Sequence, residues 1–228
     1  MKRILIVFLV CLSINSYSQD HLLGVKIGPS ITNVNRTGNL SFKYKPGISA
    51  GITYDYLFGK FFSAGADILF EQNGYVSKIA LTDNTGGLIG DTKMDFTSNY
   101  LAIPLKFGVH FGETFYGFAN IGIDPAFRLS SVSKTYPVEL LGGLVTIPET
   151  KTKVTNLRPF DMGGFVQAGG GYKIQDTYWI YASLTYRHSF MTYHKPSDTM
   201  PVLGQQNKFI NHGFGVHVGV KINLTNLL

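Results

Sequence analysis

The stretch Ile48-Ser49-Ala50-Gly51-Ile52-Thr53-Tyr54-Asp55-Tyr56-Leu57-Phe58 decides how the chain folds. Ile48, Ala50, Ile52, Tyr54, Tyr56 and Phe58 are apolar or aromatic, while Ser49, Gly51, Thr53 and Asp55 between them are small or charged. Successive side chains of a strand point to opposite faces, so a period of two marks a β-strand with one greasy face. Leu101, Ile103, Leu105, Phe107, Val109 and Phe111 repeat the pattern around Ala102, Pro104, Lys106, Gly108 and His110. Phe214, Val216, Val218, Val220, Ile222 and Leu224 do so around Gly215, His217, Gly219, Lys221 and Asn223.

Five further segments, 23–31, 62–70, 115–127, 160–174 and 178–190, carry the same signature and bring the count to eight strands. Their lengths suit the roughly 9–11 residues that a tilted strand needs to cross a bilayer, against about 5–6 in soluble domains. Gly59-Lys60, Gly112-Glu113-Thr114 and Gln175-Asp176-Thr177 read as tight turns, and the other connections are long and polar. That asymmetry belongs to outer-membrane barrels. A soluble sandwich would also alternate, but it gives glycine no reason to gather on the polar face. Here Gly24, Gly28, Gly51, Gly65, Gly108, Gly122, Gly163, Gly169, Gly171, Gly213, Gly215 and Gly219 all fall on that face, as a narrow eight-stranded lumen demands. The expected fold is all-β: a closed, antiparallel, up-and-down transmembrane β-barrel of eight strands. Its apolar face meets lipid, and aromatic girdles stand at both membrane interfaces.

Composition agrees. Of the 228 residues, 44% are hydrophobic and only 15% charged, against about 25% charged in ordinary soluble domains. Lys2 and Arg3 precede the apolar run Ile4 to Leu12 and the small-residue stretch Ser16-Tyr17-Ser18, which reads as a signal peptide over residues 1–18 with a mature barrel domain at 19–228. Cys11 is the single cysteine and falls inside the leader, so the mature chain holds neither a disulfide nor a thiolate metal site. Without Lys2 and Arg3 the net charge is +4, carried by singly scattered residues, which excludes a nucleic-acid footprint.

The leader ending in Ser18-Gln19, the first strand Leu23-Gly24-Val25-Lys26-Ile27-Gly28 and the Gly-x-Gly alternations resemble the outer-membrane β-barrel family common in Bacteroidetes, often called PorT-like; the architecture is similar to OmpX and OmpA barrels. The resemblance spans residues 21–228 and implies a cell-envelope role in structure, adhesion or assistance to secretion. It also implies insertion by the barrel-assembly machinery, here reading Leu224 or Leu228 where many barrels end on an aromatic residue.

The inward face carries charge. Lys26, Asp55, Lys173 and Lys221 lie low, Asp67, Lys106, Gln167 and His217 near the middle, and Glu71, Asp124 and Arg187 higher. A lone buried charge costs several kcal/mol, so these groups are expected to pair. The expected plug of ion pairs is reinforced by inward Phe61, Tyr116, Phe118, Phe165, Trp179 and Tyr181 and leaves no conduit. Segments 75–96 and 131–158 read as hairpins that carry strands three to six past the membrane and offer an edge to a protein partner. Counted as membrane strands, they would raise the total to ten or twelve. Pro29, Pro104 and Pro125 fall inside strands and predict bulges.

Chemistry is sparse. No Gly-x-Ser-x-Gly elbow, phosphate-cradling loop or His-Glu-x-x-His motif occurs. His188 and His212 share the lipid-facing rim, but positions 190 and 214 are phenylalanines rather than the serine a lipid-A deacylase pairs with its histidine. No carboxylate at a supporting spacing makes a metal site of His188, His194 and His212. The sequence therefore reads as a monomeric, non-catalytic barrel without cofactor or metal, set in outer-membrane lipid and lipopolysaccharide with both termini periplasmic. A lipid-A-modifying enzyme and a small-solute pore are the alternatives.

Overall fold

A computed structural model describes residues 19–36, 42–82, 85, 87–140, 145–175, 177–192 and 209–226; the segment read as a signal peptide lies outside them. The strands are β1 (Asp20–Arg36), β2 (Phe42–Phe58), β3 (Phe62–Thr82), β4 (Leu88–Ala102), β5 (Leu105–Phe111), β6 (Phe115–Thr135), β7 (Val138–Leu140), β8 (Val145–Ile147), β9 (Thr150–Lys153), β10 (Phe160–Ile174), β11 (Tyr178–Ser189) and β12 (Phe209–Asn223). All pairings are antiparallel: β1 with β2, β2 with β3, β3 with both β4 and β5, each of these with β6, β6 with β10, β10 with β11, β11 with β12, and β12 with β1, which completes the ring. β4 and β5 are two parts of one crossing, so the ring has eight positions.

Side-chain parity follows the sequence pattern. Val25, Ile52, Ile68, Phe107, Ile121, Val166, Leu184 and Val218 stand exposed on the outside, whereas Lys26, Thr53, Asp67, Lys106, Gln167, Ser183 and His217 are buried within. Outward aromatics pack in series at the short-turn end, where Phe58 and Phe62 rings lie 6.0 Å apart and Phe115 and Tyr172 5.0 Å apart. Two tight turns use glycine at positive φ, Gly59 at 66° and Gly112 at 96°, where Cβ would be strained; Gln175 takes the same region at 53° in the third. Inward glycine instead makes room for rings. A Cβ on Gly219 would fall 2.5 Å from the Tyr181 ring, and one on Gly171 2.8 Å from the Tyr116 ring.

Three expectations need correction. The prolines sit at ladder gaps of unchanged register, not at bulges. β1 loses its pairing with β12 at Gly28 and Pro29 and resumes at Ser30. At the other two prolines, Asp67 N–H donates to the Pro104 carbonyl at 3.0 Å and Ile103 N–H to that of Pro125 at 2.8 Å. The return bonds of those pairs need an N–H that proline lacks, which divides the crossing into β4 and β5. Second, Phe61 is 57% exposed at the β2–β3 turn and fills no lumen.

Third, the protruding sheet is built from β3, β4, β6 and β9, because β10 begins only at Phe160 and β9 takes its place beside β6. β7 and β8 form a separate small hairpin whose tip, 141–144, lies outside the described residues, so the hairpins add no further crossing. Gly219→Val should force the Tyr181 ring from its place at about 1–3 kcal/mol. In gels, less of the unboiled variant is expected to run as the compact, fast-migrating form.

Candidate functional site

Among the described residues, chemically active side chains converge above all in the lumen, because strand parity sends the charges of the crossings inward. Near its middle, Lys221 lies 2.7 Å from Asp55, Asp55 2.8 Å from Lys106, Lys106 2.6 Å from Asp67 and Asp67 2.6 Å from Lys26. Five groups from β1, β2, β3, β5 and β12 thus alternate in sign. Lys106 also donates to the Thr53 hydroxyl at 2.7 Å. Towards the long-loop end, Arg187 contacts Glu71 and lies 2.9 Å from Asp124. Four cations meet four carboxylates, so the buried set is neutral, as burial of charge requires.

Around this chain the lumen is layered. At the short-turn end Leu22, Leu57, Tyr116, Phe118, Trp179 and Tyr181 form an apolar cluster, with the Lys173 ammonium 4.2 Å from the Trp179 ring. Beside the ion pairs, Gln167 accepts from the Asn120 amide at 3.0 Å and donates to Ser183 and Thr185. At the long-loop end, Val34, Tyr75, Phe96 and Leu157, with Phe42, Met94 and Val154 against them, form a second apolar cluster inside the protruding sheet.

Beneath that lid lies a cavity of about 50 Å³ lined by Ser30, Ser49, Glu71, Asp124, Arg187 and His217 among others. A cavity of about 150 Å³ is what it takes to hold benzene. Ser30 Oγ, Ser49 Oγ, Glu71 Oε1, Asp124 Oδ1 and both ring nitrogens of His217 have no hydrogen-bond partner among the described residues, and all belong to residues lining this cavity.

Of the nine residues singled out for the lumen, eight are joined by ion pairs, and His217 is buried without one. Sequence reasoning missed the ring above them. Arg128 donates to the Tyr100 hydroxyl at 2.7 Å, and Asp161 accepts from Ser189 and Asn211. Alternation from Ala126 places Arg128 inward, but Leu129 is an extra residue between pairs Tyr100–Arg128 and Asn99–Ser130, so beyond it the inward positions become Ser131 and Ser133. No residue type announces that bulge. On the outer rim the His188 and His212 rings lie 6.4 Å apart, with the Tyr186 hydroxyl 3.4 Å from His188 Nδ1 and that of Tyr44 3.3 Å from His212 Nε2. His194 is outside the described residues, among which no group of three His, Cys, Asp or Glu is placed to hold a metal ion.

In the protruding sheet, burial pushes the Asp95 carboxyl up, but the Lys45 ammonium at 3.2 Å, the Tyr136 hydroxyl and Lys93 outweigh it and hold Asp95 below its ordinary value. A depressed carboxylate stabilises above its unfolded value of about 3.9 and loses that contribution as pH falls through the folded one.

The family described as outer membrane protein beta-barrel domain matches residues 17–195. No curated protein matches the chain. Among solved structures, neisserial surface protein A is 10% identical, covers 90% of this chain and 99% of its own, and has a TM-score of 0.44. The outer membrane protease OmpT from Escherichia coli is 11% identical, with 92% and 100% covered and a TM-score of 0.42. Ail, the attachment invasion locus protein of Yersinia pestis, is 12% identical, with 89% and 99% covered and a TM-score of 0.39.

Two outcomes follow. Lys106→Met removes the central cation and should cost about 3–5 kcal/mol in unfolding experiments, while Lys78→Met, whose partner Asp91 is solvent-exposed, should cost under about 1 kcal/mol. The protection factors of the Lys93–Phe96 amides, with the intrinsic slowing of exchange in acid divided out, should fall as pH drops below about 4; Asp95→Asn, which lacks the titrating group, should show no such fall.

Proposed function

The chain belongs to the outer membrane protein beta-barrel domain family, and from that premise we propose that it is a non-conducting, non-catalytic envelope protein of the PorT-like Bacteroidetes type. It serves structure and attachment through the sheet it raises above the membrane. Both termini lie on the periplasmic side with the short turns, and the long connections face outward, as in barrels of this architecture. The observation that carries this reading is the filling of the lumen: an apolar cluster, a neutral chain of ion pairs and a second apolar cluster succeed one another along the axis. With both ends sealed, the sheet of β3, β4, β6 and β9 is what the molecule offers to its surroundings, and a partner in secretion or adhesion would meet it there.

Purified protein in planar bilayers should give no large, stable conductance steps; such steps from the folded, fast-migrating species would overturn the proposal in favour of a pore. Replacing His188 and His212 together should leave the mass spectrum of the cell's lipid A unchanged. A loss of modified lipid A in that variant would establish the enzymatic alternative.

A further inference from the structure

The protruding sheet carries an arrangement that its own folding does not need. On its outer face Lys78 of β3 stands directly opposite Lys93 of β4, and Lys134 of β6 directly opposite Lys151 of β9. Like charges directly opposite across a strand pair destabilise a sheet. Lys153, two residues beyond Lys151, extends the row, and the Tyr136 ring lies 4.9 Å from the Lys93 ammonium and 4.5 Å from that of Lys134.

Carboxylates on this face are too few to answer it. Asp91 serves Lys78 at 3.6 Å, Asp95 is shared by Lys45 and Lys93, and Glu149 is shared by Lys134 at 3.0 Å and Lys151 at 3.6 Å. These six ammonium groups, with Lys43 of β2 opposite Val76 a seventh, stand against three carboxylates among the side chains described. The side chains of Lys78, Lys93 and Lys151 are 70%, 52% and 66% exposed.

We propose that this lysine ladder binds the anionic, phosphate-bearing oligosaccharide core of the lipopolysaccharide surrounding the barrel, an inference that rests on the outward orientation of the long connections proposed above. Charge complementarity selects a polyanion with several negative groups within about 15 Å, the width of four strands. The direction of the face selects the source. The β3–β4 ladder runs unshifted from Leu69–Ala102 to Leu81–Gly90, so Lys78 and Lys93 continue the side that carries lipid-facing Phe70 and Leu101. The ladder therefore looks sideways over the leaflet. It stands eight residues beyond that rim, which at the usual rise and tilt is about 20 Å up, level with saccharide headgroups and above the acyl chains.

The test uses the full barrel in nanodiscs and a deacylated, phosphorylated lipopolysaccharide core oligosaccharide as probe. Binding should weaken at least about tenfold when Lys78, Lys93, Lys134 and Lys151 are all replaced by Gln, by a similar factor when the probe is dephosphorylated, and steeply between 0.05 and 0.5 M salt. Equal binding to wild type and variant, or to both forms of the probe, overturns the inference. The lysines are surface charges, so the variant should keep the fast-migrating folded form. Labelling of intact cells with a membrane-impermeant amine reagent separates the two levels: lysines that label from outside without binding the probe sink the ladder alone, whereas failure to label sinks the orientation on which it rests.

Discussion

A bilayer offers no partner for a backbone N–H or C=O, so a strand that crosses it must bond protein on both edges, and a sheet that does so throughout has to close. Closure at eight positions then sets everything inside. The enclosed space is only wide enough for side chains, so each residue on the inward parity is packed against residues from strands across the barrel. Glycine at 171 and 219 is the counterpart of rings at 116 and 181. The same closure brings Lys26, Asp55, Asp67, Lys106 and Lys221 together, although 195 residues separate the first from the last.

The electrostatics of the lumen follow from that confinement. An unpaired charge there would lie far from water on every side, so cations and carboxylates occur in equal number and alternate in contact. A neutral plug capped by apolar clusters at both ends is a structural element in its own right: it ties β1, β2, β3, β5 and β12 across the barrel at mid-depth. Only above the rim does the balance change. There the outer face carries more ammonium groups than carboxylates and water screens them, so surplus charge is tolerated and available to a partner.

Much of this was legible in the chain. The eight crossings, the inward and outward sets and the inward placing of the plug's charges follow from a period of two together with the rule that charges shun hydrocarbon; that His217 stays outside the ion pairs does not. The misreadings share one physical origin, departures from perfect alternation or continuity that residue type does not reveal. Phe61 keeps an apolar residue's character, but it belongs to a turn and points to the outside. Leu129 inserts itself and reverses parity beyond it in β6, which hid the Ser98–Ser131 hydrogen bond. Prolines 29, 104 and 125 read as bulges, yet a ladder can lose single bonds and hold its register when the strands beside it are paired on both flanks.

Sequence alone therefore determined which face of each crossing meets lipid, how many crossings there are and which charges must be buried, because those depend on local alternation and on the cost of an isolated ion. Which charge meets which, where the cavity beside His217 lies, and that β9 rather than β10 extends the outer sheet were decided only by tertiary structure. Relative strand stagger, ladder gaps and one inserted residue set those outcomes, and each is fixed by contacts between strands far apart in the chain.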